Sequence, residues 1–449
     1  MADVPQPGDP EPGDWDGPDE PTPPALPPFF GLGGGVDPTQ LDFSQIDLSQ
    51  VVRMLQSTGP VNWEIARQTA EWVALEGRPD PAVAPADHTQ LEELAHAAQT
   101  LVVAETGLTA TFATRVQTVG PKGWVDLHLV ALRPVLEALA STLGAAMQPG
   151  PDDDPAALDD ELAGLAGVAG LGALGGLANL AGGGLAKLLA PALLGVQSGS
   201  MIGYLAQHAF GRYDLPLPTG PIPPAGAPDA GGDEPSLCFV VSNIDKFGDE
   251  WSLPRDDLRF AVALHEVVHA AERSVPWVRS RLVRLAAEYV SSYEIDPAAF
   301  ESEFGMVDPT DPESFQAMTA SPERVLGAMQ SPRQAGPRAE LQRLTAVIEG
   351  YSDHVAGVIG RRLIPTYDRI NEAMQRHRIE RGEAERFIEG LLGLKLERAH
   401  YDQGQAFVDG VVERSGLEGL NRLWEREAML PTPNELDAPG LWLARIDLD

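Results

Sequence analysis

Apolar residues recur at helical spacing along most of the chain. Leu48, Val51, Val52, Met54 and Leu55 form one stripe, and the stretch from Trp63 to Leu75 forms another. Residues three and four apart share a helix face, so each stripe predicts an amphipathic helix. Leu91, Leu94, Ala95 and Ala98 continue the pattern, with Asp87-His88-Thr89 ahead of them as capping side chains. Helical patterning continues from Trp124 to Met147. In the second half the same period predicts helices over Val278 to Tyr293, Arg338 to Arg362, Tyr367 to Gln375, Glu383 to Leu392, Leu396 to Val412 and Leu417 to Glu427. The run Leu237-Cys238-Phe239-Val240-Val241-Ser242-Asn243-Ile244 breaks the period and reads as a strand. The tail Pro431 to Asp449 reads as extended, with Trp442 as its apolar anchor. The pattern predicts a mainly α chain, α+β with a small sheet.

Composition divides this pattern into five stretches. Residues 1–37 are an acidic, Pro-rich leader; Met1 to Pro28 carries no Lys or Arg and too little apolar surface to fold, so it is expected to be disordered. An N-terminal helical region occupies 38–148. Residues 149–235 hold a Gly/Ala-rich segment and a Pro/Gly linker. The run Leu162 to Ala186 has no charge and is long enough to span a bilayer, but its glycines weaken a helix and it is thin in Leu and Ile bulk. It is read as a soluble buried or flexible segment, and membrane association is not expected. Residues 236–430 form the expected catalytic region, and 431–449 the tail.

Charge removes several classes of function. The 449 residues carry 66 acidic against 32 basic side chains, a net charge of -34. Phosphate backbones and anionic membrane surfaces both select positive charge, so nucleic acid is excluded as the main partner. A single cysteine, Cys238, rules out an intramolecular disulfide and suits a reducing cytoplasm. The first thirty residues have neither the basic start nor the apolar core of a signal peptide. The expected location is cytoplasmic.

The chemistry lies in Val262-Ala263-Leu264-His265-Glu266-Val267-Val268-His269. Ser252 is a candidate N-cap for this helix, Pro254 suits its first turn, and Asp256 and Asp257 suit its positive end. His265 and His269, four apart, can point at one metal ion, and Glu266 lies beside them as a proton acceptor. A catalytic zinc wants a third protein ligand. The pattern with a further His six residues on is excluded, because Glu272 and Val275 stand at the Gly and His positions. The other source is a Glu on a second helix. Glu349-Gly350-Tyr351-Ser352-Asp353-His354 offers Glu349 as ligand, with Asp353 one turn on to accept the free ring N–H of His265. His354 is the nearest candidate to stabilise an oxyanion, with Tyr351 and Tyr401 behind it. His96 and His128, among apolar neighbours, read as structural histidines rather than ligands.

These motifs resemble the Zincin_2 family of zinc-dependent metalloproteases or hydrolases, common in actinobacteria. Leu264-His265-Glu266-Val267-Val268-His269 and Glu349-Gly350-Tyr351-Ser352-Asp353-His354-Val355 carry the zinc-site part of the likeness. Gly211-Arg212-Tyr213-Asp214-Leu215-Pro216, Gly393-Leu394-Lys395-Leu396-Glu397-Arg398, Tyr401, Gly404, Phe407, Leu420-Asn421 and Trp424 extend it over roughly Leu41 to Ile446. The resemblance implies a zincin-like metallopeptidase fold, a helical bundle around the His-Glu-x-x-His helix, with a gluzincin-like Zn2+ site. The expected function is hydrolysis of a peptide or protein by zinc-activated water, with Glu266 as general base. Two alternatives use the same residues: a non-proteolytic zinc amide or ester hydrolase, and a catalytically silent zinc-binding scaffold in which Cys238 could close the site.

Overall fold

The computed structural model describes residues 59–108, 116–146, 185–213, 215–218, 237–294, 329–379 and 382–448. It is mostly helical. In chain order the elements are α1 (Trp63–Leu75), α2 (Pro85–Thr106), β1 (Val116–Val119), α3 (Pro121–Ala146), α4 (Leu185–Ala206), β2 (Leu237–Val240), α5 (Val241–Glu250), α6 (Arg255–Ser274), α7 (Pro276–Ser291), α8 (Ala335–Leu363), α9 (Tyr367–Ile379), α10 (Glu383–Leu391), α11 (Arg398–Asn421), α12 (Pro433–Asp437) and α13 (Pro439–Ile446). The two strands pair in parallel, with Val116 opposite Leu237 and Val119 opposite Val240.

Helix α6 runs through the middle of this arrangement. Every residue from Ala261 to Arg273 is buried, so the helix is covered on all sides rather than along one stripe. Asp256 and Asp257 in its first turn favour the positive end of the helix dipole. The helix stops at Ser274 because Val275 precedes Pro276 and takes an extended conformation. Near its start Arg259 is buried, a position that is costly unless the charge is paired. It donates to Asp245 of α5 at 2.9 and 3.0 Å, and to Asp87 and Gln90 of α2 at 2.8 and 2.6 Å. One guanidinium thus fixes the N-terminal end of α6 against two other helices.

Small residues set two helix crossings. Gly195, Gly199 and Gly203 of α4 lie against the carbonyl oxygens of Asn62, Ala66 and Ala70 at α1, with no room for a Cβ. In the same way Gly350 of α8 meets the backbone of Gly404 on α11, and Gly404 meets the Ala346 carbonyl. The buried apolar residues form one cluster that includes Ala66 in α1, Trp124 in α3, Phe239 in β2, Tyr351 in α8 and Ile446 in α13.

Several expectations change in the structure. The strand stops at Val240, and Val241 begins a helix; an eight-residue apolar run does not by itself distinguish the two. Its partner β1 was not anticipated. Asp87 does not cap α2, which starts at Pro85 after Ala84; it serves Arg259 and Arg255 instead. Ser252 is in the left-handed region (φ 51) and Pro254 holds the cap position of α6. The expected break between the helices at Leu396 to Val412 and Leu417 to Glu427 is present as a kink at Gly416 (φ 70), and the two together are labelled α11. The C-terminal tail is helical, not extended, because Thr432 and Glu435 form a capping box that starts α12. Trp442 is nonetheless its anchor: it is fully buried and donates from Nε1 to Met429 O at 2.7 Å. The leader, the stripe from Leu48 to Leu55, residues 162–184 of the Gly/Ala-rich segment and residues 219–236 lie outside the described residues. Among the described residues, no helix is long and apolar enough to cross a membrane.

The crossings give a stability prediction. Gly404→Val forces its new methyl groups into the Ala346 carbonyl and should cost about 1–3 kcal/mol or more in a denaturant titration. Gly336→Ala in the first turn of α8 meets nothing within 4 Å and should raise stability by up to about 1 kcal/mol.

Candidate metal centre

His265 and His269 come off adjacent turns of α6 with their rings 4.4 Å apart and nearly perpendicular (89°). Both are buried. Helix α8 packs on α6 and brings Glu349 and Ser352 to the same place. Ser352 Oγ lies 3.4 Å from His265 Nδ1. His269 Nδ1 is 2.7 Å from Oε2 of Glu272, which sits one turn further along α6 and is itself fully buried. His269 Nε2 has no hydrogen-bond partner among the described residues, and Glu349 Oε1 stands 3.9 Å from it. That separation is too long for a direct hydrogen bond.

The far side of Glu349 belongs to Arg378, from the last turn of α9. Its Nη1 donates to Glu349 Oε2 at 2.8 Å, and its Nη2 donates to Asp353 Oδ1 and Oδ2 at 2.8 and 3.1 Å. The guanidinium carbon lies 5.7 Å from the centre of the Tyr401 ring.

Glu266 faces a different element. Its carboxylate accepts from the backbone N–H of Arg212 at 2.8 Å and of Tyr213 at 3.0 Å to each oxygen. A side chain on Gly211 would collide with this carboxylate, so glycine is required by proximity rather than by backbone angle. The 210–213 segment is fixed from behind. Phe210 O accepts from Val240 N at 2.8 Å, Gly211 bridges to Phe239, and Gly211 O accepts from Trp124 Nε1 at 2.7 Å.

Burial sets the electrostatics. It pushes His265 down to about 3, helped by His269 and Arg378 against Glu349 and Asp353. Burial likewise holds His269 well below the usual range, with Arg273 and Arg378 adding to it. Both imidazoles are therefore neutral at neutral pH, each with one nitrogen lone pair available. Burial raises Glu272 well above the ordinary carboxylate range, more than Arg273 lowers it, with Glu349 and Asp353 adding to the rise. Burial works against the Arg378 charge, but Asp353 and Glu349 outweigh it and hold the guanidinium above its usual range. The acids Glu272, Glu349 and Asp353 thus lie close to the buried cations Arg273 and Arg378.

Of the six candidate residues, the structure groups His265, His269, Glu349 and Asp353 between α6 and α8, while the Glu266 carboxylate is turned to the backbone of Arg212 and Tyr213. Asp353 does not reach His265 as expected; its bonds go to Arg378, and Ser352 faces the imidazole. His354 is turned away. It lies about 140° round the helix from Glu349, and its Nδ1 is 3.1 Å from Asp409 of α11. Tyr351 is committed to Asn421, to which its hydroxyl donates at 2.8 Å. Cys238 is buried in β2 among the apolar core residues. His128 is buried, stacked on Trp124 at 3.6 Å and pushed by burial down to about 4, whereas His96 is exposed. Glu272, Ser352, Arg378 and the Gly211–Tyr213 backbone were not read from the sequence. For Glu272 a signal was there: three residues beyond His269 is the spacing of helix neighbours. Arg378 and the 211–213 backbone reach the site through tertiary packing, which has no local signature.

The donor set suits zinc in kind, two neutral imidazoles and a carboxylate. Among the described residues no three His, Cys, Asp or Glu side chains converge closely enough to grip an ion as they stand. Two donors sharing a zinc ion sit about 3.4 Å apart, so His269 Nε2 and Glu349 Oε1 fall short by roughly half an ångström. The buried nitrogen without a partner is what an ion would satisfy.

A helical fold around a buried His-Glu-x-x-His helix, with an acidic residue presented from a second helix, defines a zincin-like protein. The chain belongs to the zincin-like metallopeptidase family, which it matches over residues 61–443. It is also similar in fold to a crystal structure from Chloroflexus aurantiacus, described as a candidate hydrolase with a novel fold. The likeness has a TM-score of 0.56 and 24% identity over 87% of this chain and 99% of that one. No curated protein matches the sequence.

The fit of Glu266 against Gly211 can be tested alone. Gly211→Ala should cost about 1–3 kcal/mol of stability. Adding Glu266→Ala should cost less than the sum of the two single changes, because the shortened side chain vacates the collision. Strict additivity in a double-mutant cycle would contradict the contact.

Proposed function

We propose that the chain is a zinc-dependent peptidase, with His265, His269 and Glu349 holding the ion and Glu266 acting as general base. The observation that carries this reading is His269 Nε2, buried without a partner among the described residues and 3.9 Å from a carboxylate oxygen. A nitrogen in that position costs stability unless something occupies it.

When bound, zinc supplies Lewis acidity and brings the pKa of a water near ~7. The residues of the chain do the rest. Glu272 accepts the Nδ1 proton of His269 and so keeps its Nε2 lone pair directed at the site. Glu266 takes a proton from the attacking water and returns it to the leaving amine. The N–H groups of Arg212 and Tyr213 hold that carboxylate in place and favour its charged form. The substrate class is a peptide or protein, cleaved without any nucleic-acid partner.

One observation favours a second reading, hydrolysis of a small amide or ester. Glu266 and His269 have no exposure and His265 only 6%, which suits a substrate that fits inside better than a long chain. A peptide library assayed beside small acyl amides separates the two.

Glu266→Gln should leave bound zinc unchanged in metal analysis and lower hydrolysis at least about 100-fold. Retained turnover would remove Glu266 from the role of base. Glu349→Ala should lose most of the bound zinc; a full complement would exclude it as the third ligand.

A further inference from the structure

We propose that the Arg378–Asp353 pair is a positioning unit that presents Glu349 to the metal through one chosen oxygen. The inference rests on the zinc reading above and adds to it a role for two residues outside the donor set.

The geometry divides the Glu349 carboxylate in two. Oε2 is taken by Arg378 Nη1 at 2.8 Å, and Oε1 is left facing His269 Nε2. A carboxylate free to rotate could turn either oxygen, or both, toward a cation. One with a guanidinium fixed on one oxygen offers the other.

The arginine is itself restrained. Its second nitrogen donates to both oxygens of Asp353, and the face of Tyr401 lies 5.7 Å from its centre. Its chain neighbour His377 is stacked on Phe210 at 5.2 Å and tilted against Phe247 at 5.1 Å. The last turn of α9 therefore spans the site, touching the segment that holds Glu266 and the helix that carries Glu349.

Electrostatics explains why Asp353 is part of the unit. A lone guanidinium bonded to a ligand carboxylate would repel a dication bound by the same carboxylate, strongly so in a buried site of low effective dielectric. Asp353 lies on the same guanidinium and cancels its charge locally. The pair can then orient Glu349 at little electrostatic cost to metal binding. The spacing of Glu349 and Asp353, four apart on α8, is what allows one arginine to reach both.

The test is zinc affinity, measured by competition with a chromophoric chelator, together with the visible spectrum of the cobalt-substituted protein. Two variants are compared with the parent: Asp353→Asn, and the charge-balanced Arg378→Met/Asp353→Asn. Asp353→Asn leaves Arg378 balanced by Glu349 alone, and the double variant frees Glu349 to rotate. Each should weaken zinc binding about 10- to 100-fold, the usual effect of removing a group that orients a ligand. The double variant should also weaken the cobalt absorption, as Glu349 gains its second oxygen and the coordination number rises. Arg378→Lys, which can bond one carboxylate but not fork across two, should restore the parent spectrum only in part. Circular dichroism of the metal-free proteins identifies a variant that has not folded, and Asp353→Asn, which keeps an acceptor for Arg378, is the change least exposed to that failure. Parent-like affinity and spectra in both folded variants would overturn the positioning role and leave the zinc reading intact. A parent chain that binds no zinc would overturn the zinc reading itself, and this inference with it.

Discussion

The structure depends on a constraint at α6: a helix buried on every side carries His265, Glu266, His269, Glu272 and Arg273 within nine residues. Burying ionisable groups is unfavourable unless each finds a partner or gives up its charge. The two histidines are neutral. Glu266 is met by backbone N–H groups. Glu272 sits against His269. The elements that surround α6 are therefore placed by polar demand as well as by apolar packing.

Those partners come from distant parts of the chain. The 210–213 segment is held by β2 and by Trp124 of α3, so the small parallel sheet is the backing of the Glu266 site rather than an ornament on a helical fold. Glu349, Ser352 and Asp353 come from α8, and Arg378 from α9. The crossing of α8 with α11 sets how α8 sits. Gly350, the neighbour of Glu349, packs on the backbone of Gly404, where any side chain would push the helices apart. A displacement of even half an ångström there is as large as the gap that separates His269 Nε2 and Glu349 Oε1 from the spacing of two zinc donors.

The sequence was readable where chemistry repeats with helical period. His265, Glu266 and His269 share consecutive turns, Glu349 and Asp353 are four apart, and in the structure Glu349 stands beside His269. Most helices were readable for the same reason. What escaped depended on contacts between segments remote in sequence. The pairing of Asp353 with Arg378 in place of His265 follows from where α9 ends, and no local pattern encodes that. The strand at Leu237 was overextended because Val241 to Ile244 is as apolar as a strand, while its role as the first turn of α5 is set by packing. His354 was drawn toward the site by sequence adjacency alone; one residue beyond Asp353 turns it through about 100°, onto Asp409 of α11.

The same reasoning bears on how much of the cluster serves chemistry and how much serves folding. Arg259 near the start of α6 has a set of partners as complete as that of Arg378, with Asp245, Asp87 and Gln90 all in contact, yet no unsatisfied atom lies beside it. Its network is closed, which is what a purely structural ion pair requires. The network around His269 is open: among the described residues Nε2 and Glu272 Oε1 lack partners although both are buried. Two buried polar groups left unsatisfied next to each other, in a protein that closes a comparable network ten residues earlier on the same helix, are a local cost without a structural return. That contrast supports the proposed zinc reading at His269 Nε2, although a buried nitrogen without a partner is not peculiar to this site: among the described residues His128 Nε2 is another.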